Sequence, residues 1–240
     1  MLGEDYAAAD TTGVSHLRHS PSVLLPYSIE AFFTDAEVSR VIQSIDAYKA
    51  ANPRRLQAGA HGYSIHQNPN LTISEVVAVY EPAGRLDINS QQIPRDIAEI
   101  AECAFFRHIE DIRRAYPRTH GPLAFTYVEY VAGQYFTPHA DGVGADQKVG
   151  FGVTLTDDFD GGEFVVQTCG SNRLWVSDPD GELMLGPCHD ASSEWFKALP
   201  KTEWVTRPKR GNAIFYGGAL THGSRPVTRG VLKKLLAFTH

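Results

Sequence analysis

"YFTPHADG", residues 135–142, sets His139 two residues before Asp141 inside an aromatic, proline-containing stretch. On an extended strand residues i and i+2 point to the same side, so an imidazole and a carboxylate at this spacing can meet one metal ion. Two polar residues that merely alternate on a strand give the same pattern. With 10 His and 15 Asp in 240 residues, chance alone supplies roughly 0.6 such pairs, so the motif decides nothing by itself. Its meaning turns on the rest of the chain.

The surrounding segments have the period of strands. "LAFTYVEYV" (123–131), "KVGFGVTLTD" (148–157), "GEFVVQT" (162–168), "NAIFYGG" (212–218) and "VLKKLLAFTH" (231–240) are short, β-rich and separated by Gly, Pro and Asp. Upstream the period is helical. Thr34 followed by Glu37 has the spacing of a capping box, and Val38, Val41, Ile42 and Ile45 follow at helical intervals. A second helix is predicted from about Ile93 to Arg114, with Ile97, Ile100, Ala104, Phe105, His108 and Ile112 on one side. "TISEVVAVYEP" (72–82) reads as a strand between them. Helices first and strands afterwards predict an α+β, mainly β chain, with helices packed outside an antiparallel sandwich or open barrel.

Residues 1–20 lack periodicity and are expected to form a flexible arm, leaving 21–240 as one domain. Residues 168–206 are too long for a hairpin connection and read as an insertion. With Trp175, Trp195 and Phe196 among Gly, Ser and Asp, part of this insertion is expected to form a lid or wall over a site.

Composition excludes several classes. The net charge is −6 and the Lys and Arg are scattered, which argues against a nucleic-acid binder. No stretch approaches the ~20 apolar residues of a membrane span, and the first twenty residues lack the apolar run of a signal peptide. Cys103, Cys169 and Cys188 are odd in number and have no metal-binding spacing, so a cytoplasmic protein with reduced thiols is expected.

A metal clamp built on His139 and Asp141 needs a third ligand. His222 follows the strand "NAIFYGG", where a chain reversal can return it to the same cavity. Two imidazoles and one carboxylate on one face of an octahedral ion leave three positions open, the arrangement of non-haem Fe(II) oxygenases. Other polar clusters fit a metal less well. Cys188, His189 and Asp190 are contiguous, so their side chains diverge, and His61, His66, His108 and His120 have no partner at useful spacing.

Four blocks in order then carry a family resemblance: "YVAGQYFTPHAD" (130–141), "TLTDDFDGGEF" (154–164), "RPKRGNAIFY" (207–216) and "HGSRPVTRG" (222–230). Together they resemble the prolyl 4-hydroxylase-like branch of the Fe(II)/2-oxoglutarate dioxygenases, over roughly residues 123–240. The resemblance implies a double-stranded β-helix, or jelly roll, with the N-terminal and central helices outside it. It makes His139, Asp141 and His222 the iron ligands and Tyr130 a hydrogen-bond donor to 2-oxoglutarate. Gly161 and Gly162 are expected to form a tight turn. Arg225, Arg173 and Trp175 are candidates for substrate contacts.

The family's cosubstrate cation normally lies ten residues after the distal histidine, and here that position is Leu232. A one-residue slip would turn Lys233 to the wrong face of a regular strand, unless a bulge near "TRGVL", at Gly230, restores it. Lys233 is therefore expected inward, together with Leu235 and Ala237. Without the bulge Lys234 faces the other way, and Arg229 becomes the second candidate.

The implied activity couples oxidative decarboxylation of 2-oxoglutarate by O2, giving succinate and carbon dioxide, to attack on an unactivated C–H bond, with ascorbate as a candidate stimulant. Halogenating relatives lack the carboxylate ligand, so Asp141 favours hydroxylation, or a related desaturation or cyclisation. A small molecule, such as a free or derivatised amino acid, is the expected substrate. A prolyl residue of a peptide or protein is the alternative, and a metal-binding jelly roll without turnover is a third reading.

Overall fold

Thr34 begins the first helix as its spacing predicts. Its hydroxyl accepts the Glu37 N–H at 3.2 Å, and the Glu37 carboxylate accepts the Thr34 N–H at 2.8 Å, closing the capping box. The computed structural model describes residues 26–53, 83–139, 149–168, 175–177, 183–185, 198, 201–218 and 220–239. Helix α1 spans Asp35–Ala51 and buries Val38, Val41 and Ile45.

The expected second helix is two. Helix α2 spans Arg95–Arg107 and α3 spans Ile109–Ala115, with a break at His108 (φ −107°, ψ 12°). There the His108 N–H is shared between the carbonyls of Ala104 and Phe105, and its ring stacks on Phe32 at 5.4 Å. The apolar side survives the break: Ile97, Ile100, Ala104, Phe105 and Ile112 are all buried. Arg107, at the end of α2, bonds both Glu37 oxygens at 2.9 Å and pulls that carboxyl down to about 2, which ties α2 to the start of α1.

The strands form two antiparallel sheets. The major sheet contains β1 (Tyr27–Ile29), β2 (Leu86–Ile88), β3 (Thr126–Val131), β5 (Val149–Thr154), β11 (Ala213–Gly217) and β13 (Val227–Thr239). They run in the order β1-β11-β5-β13-β3-β2, and β6 (Phe159–Gly161) joins β13 near its start. The minor sheet has the order β10-β7-β12-β4, from β4 (Phe136–His139), β7 (Phe164–Thr168), β10 (Thr202–Thr206) and β12 (His222–Ser224). A separate ribbon pairs β8 (Trp175–Ser177) with β9 (Leu183–Leu185). This is the expected jelly roll.

The helices cover one face of the major sheet. Phe105 and Phe32 meet Phe151 and Phe215 there, and the latter two are register partners on β5 and β11 with rings stacked at 4.7 Å. Each fully buried Phe contributes about 1.5–3 kcal/mol. The opposite face looks toward the minor sheet, where Phe164, Val166, Ile214 and Tyr216 form a smaller cluster. Gly161, at the end of β6, has φ +72°, and a Cβ there would overlap the Pro226 carbonyl oxygen, so the turn into β7 requires glycine.

Several sequence expectations meet the structure only in part. The far end of the expected 168–206 insertion is β10, a regular strand beside β7, so the minor sheet claims residues 202–206. Of the rest, only Thr168, the β8–β9 ribbon, Ala198 and Lys201 fall among the described residues. The N-terminal arm, residues 1–20, and the strand at 72–82 lie outside them. No helix among the described residues is long and apolar enough to cross a membrane.

Candidate active site

His139 ends β4 and His222 begins β12, and antiparallel pairing makes them direct Cα partners. Their rings lie 4.5 Å apart and both residues are buried. Close approach of the two strands depends on Gly223, where a Cβ would stand 2.7 Å from the Phe136 carbonyl oxygen. Each imidazole is oriented the same way. Nδ1 of His139 lies 2.8 Å from the Thr137 carbonyl and Nδ1 of His222 lies 2.9 Å from that of Leu220. A carbonyl only accepts, so Nδ1 carries the proton in both rings and Nε2 carries the lone pair, as a metal-ligating histidine requires.

Asp141 stands two residues past the end of β4, outside the described residues, and among those residues no third His, Cys, Asp or Glu completes a metal cluster. The two oriented imidazoles are a donor set that fits Fe(II), and Asp141 keeps the ligand role as an expectation of sequence.

Aromatic rings wall the histidines. Phe136 lies 4.3 Å from the His139 ring, and Tyr216 and Phe164 lie 4.0 and 5.7 Å from that of His222. Beyond them a cavity of about 690 Å³, counting its mouth, extends between the sheets. Its polar wall is basic: Arg85, Tyr130, Thr154, Ser224 and Lys234 line it. Tyr130 therefore lines the same cavity as the two histidines.

Lys233 is not in this wall. From Val231 to Leu236, β13 keeps regular register with β3, which sets Lys233 opposite Glu129 and Lys234 opposite Val128. Strand alternation sends Lys233 to the helix side, where its Nζ lies 3.6 Å from Asp46 and 3.9 Å from Glu129. Leu235 shares that side and joins the helix-packed core. Lys234 instead lines the cavity, with its Nζ 3.4 Å from Ser224 Oγ. A register shift does occur near Gly230, between Val227 and Arg229, but it does not turn Lys233 inward. Positions 232 and 234 share a face, so two extra residues after the distal histidine preserve the orientation that one extra residue would reverse.

The other sequence candidates are placed as follows. Arg229 is exposed, bonded to Asp158 and Asp160, and outside the cavity wall. Arg225 is exposed and bonded to Glu203 at 3.0 Å. Arg173 lies outside the described residues, and Trp175 is described only as backbone of β8.

Sequence reasoning missed Arg85. Its side chain is only 6% exposed; Nε bonds Asp87 at 2.8 Å, Nη1 donates to the Tyr130 hydroxyl at 2.9 Å, and the guanidinium lies 4.8 Å over the Phe136 ring. The sole trace in sequence is the short alternation of "RLDI" (85–88). Burial, then the Arg85 charge, brings the Lys234 ammonium down to about 8.

Solved structures share this architecture. A prolyl-4-hydroxylase from Pseudomonas putida aligns with a TM-score of 0.52 at 12% identity, over 90% of this chain and 92% of that one. This chain has the fold of that hydroxylase. A prolyl hydroxylase from Trichoplax adhaerens, in complex with a hypoxia inducible factor oxygen degradation domain peptide fragment, aligns at 0.56 with 11% identity, over 89% and 83%. SnoK, a non-heme alpha ketoglutarate dependent carbocyclase from nogalamycin biosynthesis, also aligns at 0.56 with 11% identity, over 96% and 85%. No family model matches the sequence, and no curated protein does.

Proposed function

We propose that this protein is an Fe(II)- and 2-oxoglutarate-dependent oxygenase that hydroxylates an unactivated C–H bond of a small molecule. The observation that carries this reading is the His139–His222 rung, with both Nδ1 atoms committed to carbonyls, lining one cavity together with Lys234 and Arg85. His139, His222 and Asp141 would hold the iron. When bound, Fe(II) with 2-oxoglutarate and O2 supplies the oxidant for C–H hydroxylation, with succinate and carbon dioxide as coproducts.

The chain's own residues bind, orient and exclude water. Lys234 offers a buried ammonium to the far carboxylate of 2-oxoglutarate, and the Tyr130 and Ser224 hydroxyls stand in the same wall. Phe136, Phe164 and Tyr216 screen the histidines from solvent, which protects a reactive oxidant from side reactions. Burial of both histidines between the two sheets is the support for a small molecule over a peptide. Lid function for part of the stretch between β7 and β10 belongs to the same reading, as does a cytoplasmic location, where the exposed Cys103 thiol stays reduced.

The test is succinate release with Fe(II), 2-oxoglutarate and O2, screened against free and derivatised amino acids and against Pro-containing peptides. Stimulation above the substrate-free rate by a small molecule supports the proposal. Stimulation by peptides alone would transfer the activity to a prolyl hydroxylase. No succinate under any condition would leave a metal-binding jelly roll without turnover.

A further inference from the structure

Arg85 belongs to the cavity wall yet lies outside every motif block in the sequence. It immediately precedes β2, whose register with β3 sets Leu86 opposite Glu129 and Asp87 opposite Val128. Extending that register by one residue puts Arg85 level with Tyr130. Alternation then places Arg85, Tyr130 and Lys234 on the same side of the sheet, because Lys234 is also a partner of Val128.

Both cations reach from the major sheet to one rung of the minor sheet. Phe136 and Ser224 are register partners; Arg85 covers the first, and Lys234 stands beside the second. Ser224 is two residues from His222, which is about 7 Å along a strand. A five-carbon 2-oxo dicarboxylate measures roughly 5 Å between its terminal carbons, from four bonds of ~1.5 Å. Held by one end beside the histidines, such a ligand delivers its far carboxylate to this rung. The Arg85–Tyr130 bond adds a direction. A guanidinium has no lone pair, so the Tyr130 oxygen accepts from Arg85 and its O–H hydrogen donates elsewhere.

Building on the oxygenase reading above, we propose that Arg85 is a second cosubstrate-binding residue, which joins Lys234 in gripping the far carboxylate of 2-oxoglutarate and selects a dicarboxylate over a 2-oxo monocarboxylate. Arg85 and Lys234 line this wall together, and a desolvated cation holds an anion more strongly than an exposed one. A purely structural Arg85–Asp87 pair would pin the sheet edge at β2. It would not account for a guanidinium laid over Phe136 inside the cavity.

The test is binding of 2-oxoglutarate and of 2-oxobutyrate to the full chain loaded with Mn(II), measured by calorimetry. 2-Oxobutyrate keeps the 2-oxo acid head and lacks the far carboxylate. Arg85→Gln is expected to lose roughly 10- to 100-fold in 2-oxoglutarate affinity while 2-oxobutyrate changes by less than about threefold. Arg85→Lys is expected between wild type and Arg85→Gln, since an ammonium keeps the charge but not the planar fork. Unchanged 2-oxoglutarate affinity in Arg85→Gln overturns the proposal, and so does an equal loss for both ligands, which would mark Arg85 as support for β2. If Arg85→Gln does not fold, Arg85→Lys carries the same test: a loss confined to 2-oxoglutarate supports the proposal, and any other pattern overturns it. A wild-type chain that takes up Mn(II) but binds neither ligand overturns the oxygenase reading itself, a result distinct from these.

Discussion

His139 and His222 are register partners across an antiparallel pair, and each ring is held by the carbonyl two residues before it. Backbone geometry therefore fixes the orientation of both imidazoles. His222→Ala should lower Fe(II) or Mn(II) affinity by at least roughly 100-fold, and Asp141→Ala should do the same. Metal titration of the purified variants checks this, with near-ultraviolet circular dichroism to confirm a native fold. Wild-type metal affinity in His222→Ala would remove the histidine pair from the account.

Lys233 and Lys234 are adjacent in sequence and face opposite sides of the sheet. Lys234→Ala removes a buried cation from the cavity and should cost about 3–5 kcal/mol of 2-oxoglutarate binding, or roughly two to four orders of magnitude in Kd. Lys233→Ala removes a weaker contact to Glu129 and Asp46 and should cost roughly 1 kcal/mol of stability while sparing 2-oxoglutarate. Calorimetry and urea unfolding of the two variants separate these effects. The reverse pattern would restore Lys233 to the cosubstrate site.

The Lys234 ammonium, held near 8 by burial and by Arg85, should make 2-oxoglutarate binding pH-dependent if it holds the far carboxylate as proposed. A carboxylate binds the protonated form, so 2-oxoglutarate affinity should be flat below about pH 8 and fall up to about tenfold per pH unit above it. In the unliganded protein the consequence for stability has the opposite direction. Between about pH 8 and the ordinary lysine value of 10.5 the unfolded chain binds more protons at this residue than the native one, so its contribution to stability rises with pH across that window. Lys234→Gln should flatten both profiles, and an unaltered pH profile for 2-oxoglutarate binding in that variant would contradict the assignment.

Gly161 tests the fold apart from the chemistry. Its φ of +72° and the adjacent Pro226 carbonyl leave no room for a side chain, so Gly161→Ala should destabilise by more than about 2 kcal/mol. The urea midpoint should fall with an unchanged m-value. A midpoint equal to wild type would mean that the β6–β7 joint is not constrained as described.

Much of this architecture was legible because local chemistry and the final fold agree. Thr34 and Glu37 specify a helix start by their own hydrogen bonds, and the strands at Thr126–Val131, Val149–Thr154 and Ala213–Gly217 are short β-rich runs with turn residues around them. The His139–His222 pair was legible only through ordered motif blocks, because the two residues are 83 positions apart and no local period links them. Lys233 was misplaced because a count from the histidine sets the facing only when the number of intervening residues is known to be even or odd. Arg85 was invisible for a different reason. Its role depends on which strand lies beside β2, and pairing across the sheet leaves no mark on the residues near Arg85. His108 shows the same limit, since its helical spacing continues smoothly from α2 while its backbone breaks the helix against Phe32.

If the two histidines support iron-dependent decarboxylation of 2-oxoglutarate, carbon dioxide will be released from 2-oxoglutarate labelled at its 1-carboxylate, measured with Fe(II) and O2 for wild type and His222→Ala. The expected result is release by the wild-type chain, matched one-for-one by succinate and abolished in His222→Ala. Equal release from the two proteins, or none from an iron-loaded wild-type chain, would contradict it.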